Sequence, residues 1–503
     1  MNDKNMQLAV LFGSFLSVLL TGIYSQPAEA EPDIVIATID VGDAPVALEY
    51  HPGNDDIYVA NLSPSDQLNP DTVSVINSDN QVVDTVGVGV DPVALEYNEA
   101  NDHIYVINQI SDDVSVINPD SQVVDTIGVG NNPVALEYHE GNHNIYVANI
   151  GGPDDISVIS PDNTLVETIE VGLNPFDLEY NPGNGYLYVA NAGSDTVSVI
   201  NSDNDIVTTI TDVGVSPHKL QYHPGNGNIY VANRGSGTVS VINSDNEVID
   251  TVLVGTAPED LEYHPGTNSI YVANFDSHDV TVIDSDNVVA ATVDVGRNPR
   301  ALEYHPANNN IYVADWSSFD VSIISPDNAV IDTVDVGERP VALEYHPGND
   351  YIYVANAASD TVSVLSSITA EEAIERLILY IEGLGLPRGV ETSLIAPLKN
   401  IINTLNDDDP TNDTDACDKL NAFLNQVEAK KNNGQLTEEQ ADALREQSLI
   451  IQLILECPEV TDNNTSARLS TLTIPRDRYI RENELDLLAE LTEMEDFDPP
   501  SIP

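Results

Sequence analysis

Short apolar alternations rather than helical stripes fill residues 31–366 of the chain. The same pieces return in the same order: an apolar segment ending in tyrosine (ALEY, closing at Tyr50, Tyr138, Tyr304 and Tyr345), a His-Pro-Gly-Asn-like turn, then IYVAN, VSVI and VVDTV. Each piece is four to seven residues long and rich in Val, Ile, Thr and Tyr. Clusters such as Ser78-Asp79-Asn80 and Ser244-Asp245-Asn246 separate them, and these are the residues tight turns demand. The pattern predicts four short strands per unit, with no room for an ordinary helix between them.

VG-x-x-P marks the period, its proline falling at Pro45, Pro92, Pro133, Pro175, Pro217, Pro258, Pro299 and Pro340, at intervals of 47, 41, 42, 42, 41, 41 and 41 residues. Four-stranded antiparallel units at this spacing predict an all-β, eight-bladed β-propeller over 31–366. Each small sheet must pack both faces on neighbours, and a closed ring shelters its edges. The last repeat stops after VSVL at Leu365, while ATIDV (Ala37–Val41) precedes the first proline. The N-terminal strand is therefore expected to complete the eighth blade.

At IYVAN and DTVSVI (Ile57–Asn61, Ile145–Asn149, Ile352–Asn356 and Asp360–Leu365) the chain resembles the YVTN-type β-propeller repeats of archaeal and bacterial surface-layer and secreted proteins. The resemblance covers about residues 33–366 and implies the fold. For function it implies a range, since that family and the related NHL and streptogramin-lyase-like propellers carry binding, structural and occasional enzymatic roles on one ring.

Beyond Ser366 the apolar period changes from two to about 3.6. Thr369 with Glu372 and Thr437 with Gln440 are capping boxes opening amphipathic runs at Ala370–Gly383 and Glu438–Cys457; two more runs lie at Ser393–Leu405 and Asp415–Ala429. A small C-terminal α-helical bundle of four helices is expected over 367–458, followed by an acidic, mostly flexible tail, 459–503, with one helical run near Glu482–Glu495. The segments GLPRGVETSLIAPLKNIINTLND and CDKLNAFLNQVEAKKNNGQLTEEQADAL resemble FIMAH-type helical modules of secreted enzymes and surface proteins. Cys417 begins the third run and Cys457 ends the fourth, which brings antiparallel ends together. In an exported protein a disulfide is expected there, two buried free thiols being the alternative.

Export is read from the first thirty residues: Lys4, an apolar run from Met6 to Ile23, then Ala28-Glu29-Ala30, the small-x-small pattern of a signal-peptidase site. An uncleaved anchor is the alternative; either way the body is expected to be extracellular or at the cell surface. Sequons at Asn61, Asn412 and Asn463/Asn464 permit N-glycosylation. The charge excludes whole classes of partner. With 83 Asp and Glu against 17 Lys and Arg, a net charge of −66, nucleic acid and anionic membrane surfaces are repelled at long range.

Among repeats, departures from the consensus are the informative positions. Residues 31–366 hold five cations, Lys219, Arg234, Arg297, Arg300 and Arg339, against 53 acids. All five belong to blades five to eight, in the loops leading into the inner strand or joining the second and third strands, which share one rim of a propeller. There the plain Val-Ala after the proline becomes His218-Lys219, Glu259-Asp260 and Arg300-Ala301, while Phe275, Asp276, His278 and Trp316 come from the other loops. These residues suggest a ligand site: Arg and Lys for carboxylate or sulfate, Trp316 and Phe275 as a stacking platform, Glu259 and Asp260 for hydroxyls. Simple neutralisation of an acidic rim by the arginines is the competing reading.

Two repeated rings also invite a metal: Glu49, Glu96, Glu137, Glu179, Glu262, Glu303 and Glu344, with Gln221 at the eighth place, and His51, His139, His223, His264, His305 and His346. Equivalent residues on different blades stand too far apart for one ion to collect, and no metal site or cofactor is expected, although calcium remains compatible with the acidic loops. The run Asp407–Asp409 with Asp413 and Asp415 departs from EF-hand order. No nucleophile elbow, P-loop, dinucleotide fingerprint or HExxH occurs, so no catalytic residue is assigned. The expected function is a secreted or cell-surface, non-enzymatic binding or envelope protein whose partners are cell-envelope components, glycan or protein. The alternative is an extracellular propeller enzyme, a lyase, lactonase or hydrolase, centred on His218, Glu259, Asp260 and Arg300.

Overall fold

The computed structural model describes residues 33–62, 71–367, 370–405, 412–455 and 457. The signal segment, the tail from 459, Asn463, Asn464 and Asp407–Asp409 lie outside the described residues. The chain divides into two compact units, Met1–Thr369 and Ala370–Pro503.

The first unit is a ring of eight four-stranded antiparallel sheets. In the first blade the strands are β2 (Pro45–His51), β3 (Asp56–Asn61), β4 (Thr72–Asn77) and β5 (Val82–Gly87), ordered from the channel outward. The pattern repeats to the eighth blade, where β30 (Pro340–His346), β31 (Tyr351–Asn356) and β32 (Thr361–Ser367) are completed by β1 (Asp33–Asp40). There Ile39 pairs with Val362 and Thr38 with Ser363. The expected closure by the N-terminal strand is observed.

The period of two along each middle strand divides its side chains between two interfaces. Tyr58 and Ala60 pack with Leu95, Ile104 and Val106 of the following blade, whereas Ile57 and Val59 pack with Tyr353, Ala355 and Val364 of the preceding one. Both faces of a blade are thus core, which is why IYVAN and VSVI read as nearly continuous apolar runs. The glycine of VG-x-x-P is required by close approach: a Cβ on Gly42 would fall 2.7 Å from the Cβ and Cγ of Asn61.

That asparagine is 2% exposed, and its Nδ2 donates to Val59 O and Ser74 Oγ. In the folded ring Asn61 is thus held as a structural residue.

Polar latches join successive blades. The buried Tyr105, Tyr146, Tyr188, Tyr230 and Tyr271 donate their hydroxyls to Asn163, Asn204, Asn246, Asn287 and Asn328, turn residues of the next blade. At the seam Tyr312 donates instead to Asp33, so the N-terminal strand supplies the missing turn acceptor. The histidines form a second set. His51 Nε2 lies 3.2 Å from Asp102 O of the next blade, while its Nδ1 accepts from Gly53 N. His223, His264, His305 and His346 repeat the contact between blades. Where blades two and four carry asparagine, Asn98 and Asn181 donate to His143 O and Gly227 O and accept from Ala100 N and Gly183 N. The imidazole acts as a two-ended hydrogen-bonding spacer that an amide can replace.

The second unit contains helices Ala370–Gly383, Arg388–Leu405, Asn412–Asn432 and Glu438–Ile454. Two of these differ at their starts from the expected runs. The second begins just after Pro387, five residues before Ser393, and runs through Pro397; the third begins at Asn412 rather than Asp415. The Thr437–Gln440 capping box forms reciprocally: Gln440 N donates to Thr437 Oγ1 at 3.1 Å and Thr437 N to Gln440 Oε1 at 3.0 Å. Leu394, Leu398, Ile401, Leu420, Phe423, Leu444 and Ile451 are buried in this unit. A disulfide joins Cys417 and Cys457 with their Cα atoms 5.6 Å apart.

Candidate functional site

The inner strands leave one edge of backbone N–H groups unpaired within their own sheets, and acids of the preceding blade accept from that edge. Glu344 accepts from Tyr50 N, Glu49 from Tyr97 N, Glu96 from Tyr138 N, Glu137 from Tyr180 N and Glu179 from Tyr222 N. These carboxyls crowd one narrow channel. Burial pushes Glu179 up to about 8, and Glu344 likewise to about 8. Burial and then neighbouring carboxylates raise Glu49, Glu96, Glu137 and Glu303 well above the ordinary range. Among the described residues no group of three or more His, Cys, Asp or Glu is set to hold a metal ion.

On the rim above this ring, backbone hydrogen bonds bring the two variable loop sets together. Arg234 N donates to Ser216 O, Phe275 N to Ala257 O, Trp316 N to Asn298 O and Ala357 N to Arg339 O. Within that frame the ten residues singled out by sequence separate into two groups.

The first group is closed by internal pairing. Lys219 Nζ lies 3.2 Å from Asp177 Oδ1, and Asp177 Oδ2 accepts from Leu220 N at 2.7 Å. The Asp177 charge holds the Lys219 ammonium well above its ordinary range despite the cost of desolvation. Asp260, raised by burial and lowered by Lys219, accepts from Leu302 N at 2.8 Å. Asp177 and Asp260 thus serve the same edge-capping purpose as the glutamate ring, one step nearer the rim. Beside them His218 stacks on Phe176 at 4.2 Å and stands 3.7 Å from Glu259 Oε1, while Arg234 Nε donates to Glu259 Oε2 at 2.8 Å. Burial alone would raise Glu259; His218 and Arg234 outweigh it and hold the carboxyl down at about 2.

The second group is open. Trp316 sits at its centre, with the Phe275 ring centroid 6.2 Å away and the Arg339 guanidinium 5.0 Å from the indole centroid. Asn298 ties the neighbouring loops together, donating through Nδ2 to Phe275 O and through its backbone N–H to His278 Nδ1. Arg297, Arg300 and Arg339 are exposed, and among the described residues none has a carboxylate within ion-pair distance. Charge relief therefore accounts for Lys219 and Arg234 and not for these three.

Sequence reasoning omitted Phe176, Asp177 and Phe319. All three are departures from the repeat: PFDL replaces PVAL, and Phe319 stands where other loops place Asp112, Asp195 or Asp360. Those aspartates accept the N–H of the residue before the next blade's proline, as from Asn132, Ser216 and Ala44. Phe319 carries no such acceptor and is 36% exposed. Asp315 is a further departure, replacing the buried asparagine of the other blades. It accepts from Ser322 Oγ at 2.6 Å, and burial raises its carboxyl to about 7.

No protein-family model and no curated protein sequence matches the chain. Among solved structures it is similar to the C-terminal WD40 domain of Sif2, with TM-score 0.55 and 10% identity over 67% of this chain and 99% of that one. A streptogramin B lyase aligns at TM-score 0.46 and 12% identity, over 55% of this chain and 93% of that one. The hydrazine synthase of Kuenenia stuttgartiensis aligns at TM-score 0.45 and 18% identity, over 68% and 97%. At such identities the likeness to the WD40 domain establishes a propeller fold and nothing finer.

Proposed function

We propose that the chain is a secreted or cell-surface, non-enzymatic binding protein, exported through residues 1–30, whose propeller rim engages a glycan or protein component of the cell envelope. The observation that carries the reading is the exposed Arg339 against Trp316, with Arg297 and Arg300 exposed in the blade of Trp316 and all three without ionic partners among the described residues, on a strongly acidic ring. The resemblance of the repeats to surface-layer YVTN propellers agrees with it, and the helical unit, whose text resembles FIMAH-type modules, serves attachment or assembly. The test is sedimentation of the mature chain with envelopes from its own source, with calcium and with chelator. It is run beside a variant carrying Arg297→Asn, Arg300→Val and Arg339→Asn, residues this chain itself uses at equivalent positions. Wild-type protein is expected to pellet and the variant to stay soluble; equal pelleting of both removes the rim from the account.

A second reading, an extracellular lyase, lactonase or hydrolase, draws on the His218–Glu259 contact, where a carboxylate fixed by Arg234 stands beside an imidazole stacked on Phe176. In that case His218→Ala abolishes turnover while leaving envelope binding intact.

A further inference from the structure

We infer that the Trp316 cluster recognises a single carboxylate-bearing sugar carried on an otherwise neutral glycan, an inference that rests on the rim-binding reading above. Arg339 is set in place before any ligand arrives. Its backbone lies in the left-handed region at φ 57°, its carbonyl accepts from Ala357 N at 3.0 Å, and its guanidinium rests against the indole. A guanidinium held against a ring keeps the N–H donors of its edge directed outward, a fork that matches the two oxygens of a carboxylate. Because the side chain is already ordered, less rotamer freedom is lost on binding than for a free arginine. Arg297 and Arg300 come from the same blade as Trp316, and Ser317 N donates to Arg297 O at 3.0 Å, which joins the Arg297 and Trp316 loops through the backbone.

The aromatic residues favour a sugar over an acidic peptide. Phe275, Trp316 and the exposed Phe319 offer apolar ring surface beside the cations, which suits the C–H face of a pyranose. Charge limits the ligand to one anionic unit. Glu338, Asp276, Asp294 and Asp335 are exposed in the adjoining loops and strand ends, and the whole chain carries −66. Screening confines favourable attraction to about 8 Å at physiological salt, so a carboxylate at the cluster meets arginine while further anionic units along a polymer meet carboxylates.

The experiment titrates the full mature chain with four probes: a neutral oligosaccharide, the same oligosaccharide ending in one glucuronate, an oligogalacturonate, and a glutamate-rich peptide. Binding of the singly acidic probe is expected to exceed the neutral one, to weaken with added salt, and to fall about 10-fold in Arg339→Asn. Asparagine precedes the proline at Asn132, Asn174 and Asn298 with positive φ, so the variant keeps the loop. Trp316→Phe should lose affinity through the same probe while leaving the melting temperature unchanged. Tighter, Arg339-dependent binding of oligogalacturonate or of the peptide overturns the single-sugar inference and leaves rim binding standing. If no probe depends on Arg300 or Arg339, and the envelope assay is equally indifferent to them, both readings fall together.

Discussion

Glu49 and Tyr97 meet across the boundary between the first two blades, the Glu49 Oε1 accepting the Tyr97 backbone N–H at 3.1 Å. Repeated around the channel, this contact hides an open strand edge and concentrates carboxyl groups in one place. The two effects pull in opposite directions as pH changes.

Glu344 shows the sign. Its folded-state value near 8 lies above the ordinary 4.5, so the folded chain holds this proton more tightly than the unfolded one. The contribution to stability is complete below about 4.5 and disappears as pH rises through 8. Glu344→Gln keeps an acceptor for Tyr50 N–H and removes the charge. The variant should melt higher than wild type at pH 8.5 and lose that advantage by pH 5, measured by calorimetry. Burial lowers His139, His223, His264 and His305, which oppose stability below 6.5 in both proteins and cancel in the comparison.

The histidine latches predict an asymmetry between two substitutions. His264 is fully buried, with Nε2 2.8 Å from Asn309 O and Nδ1 accepting from Thr267 N. His264→Asn copies blades two and four and should be tolerated. His264→Ala leaves both partners unsatisfied and should cost about 1–3 kcal/mol in urea denaturation.

Asp315 offers a substitution that should stabilise. At the equivalent place Asn356 Nδ2 donates to Ser363 Oγ at 2.9 Å, whereas the ionised Asp315 can only accept, as it does from Ser322 Oγ. The Asp315 value near 7 stands above the ordinary 3.8, so its contribution is complete below 3.8 and lost as pH passes 7. Asp315→Asn should raise the melting temperature at pH 8 and change it little at pH 4.

The Cys417–Cys457 bridge closes a loop across two helices, with a sequence separation of 40. Cys417→Ser with Cys457→Ser should destabilise the helical unit by about 2–4 kcal/mol. Because the propeller is a separate compact unit, the helical circular-dichroism transition should fall by on the order of 10–30 °C relative to wild type while the strand transition stays where it was.

The ring itself was legible because its signals are local: strands of known period, turns of fixed chemistry, and VG-x-x-P as a counter. Closure by the N-terminal strand followed from counting strands, although the strand runs Asp33–Asp40 and not the expected Ala37–Val41. What Glu49 and His51 do was not legible, since each acts on a backbone atom of the next blade, Tyr97 N and Asp102 O, far along the chain. The same distance explains the division of the rim residues. Sequence drew Glu259 and Arg339 into one set as departures from the repeat; only the fold shows that Arg234 and His218 occupy Glu259 while Arg339 rests on Trp316. Phe176 and Phe319 were visible as departures by the same rule, but carrying neither charge nor indole they drew no attention.

Pairing of β1 with β32 also sets the order of events when the protein forms. Asp33 meets Ser367 and Asp40 meets Thr361, so the first strand made has no sheet partner until nearly all of the ring has followed it. Contacts of such separation demand large loop closures and form late. Seven blades can assemble from local hairpins while Ile34 and Ile39 wait with their apolar side chains uncovered until the eighth blade arrives to receive them.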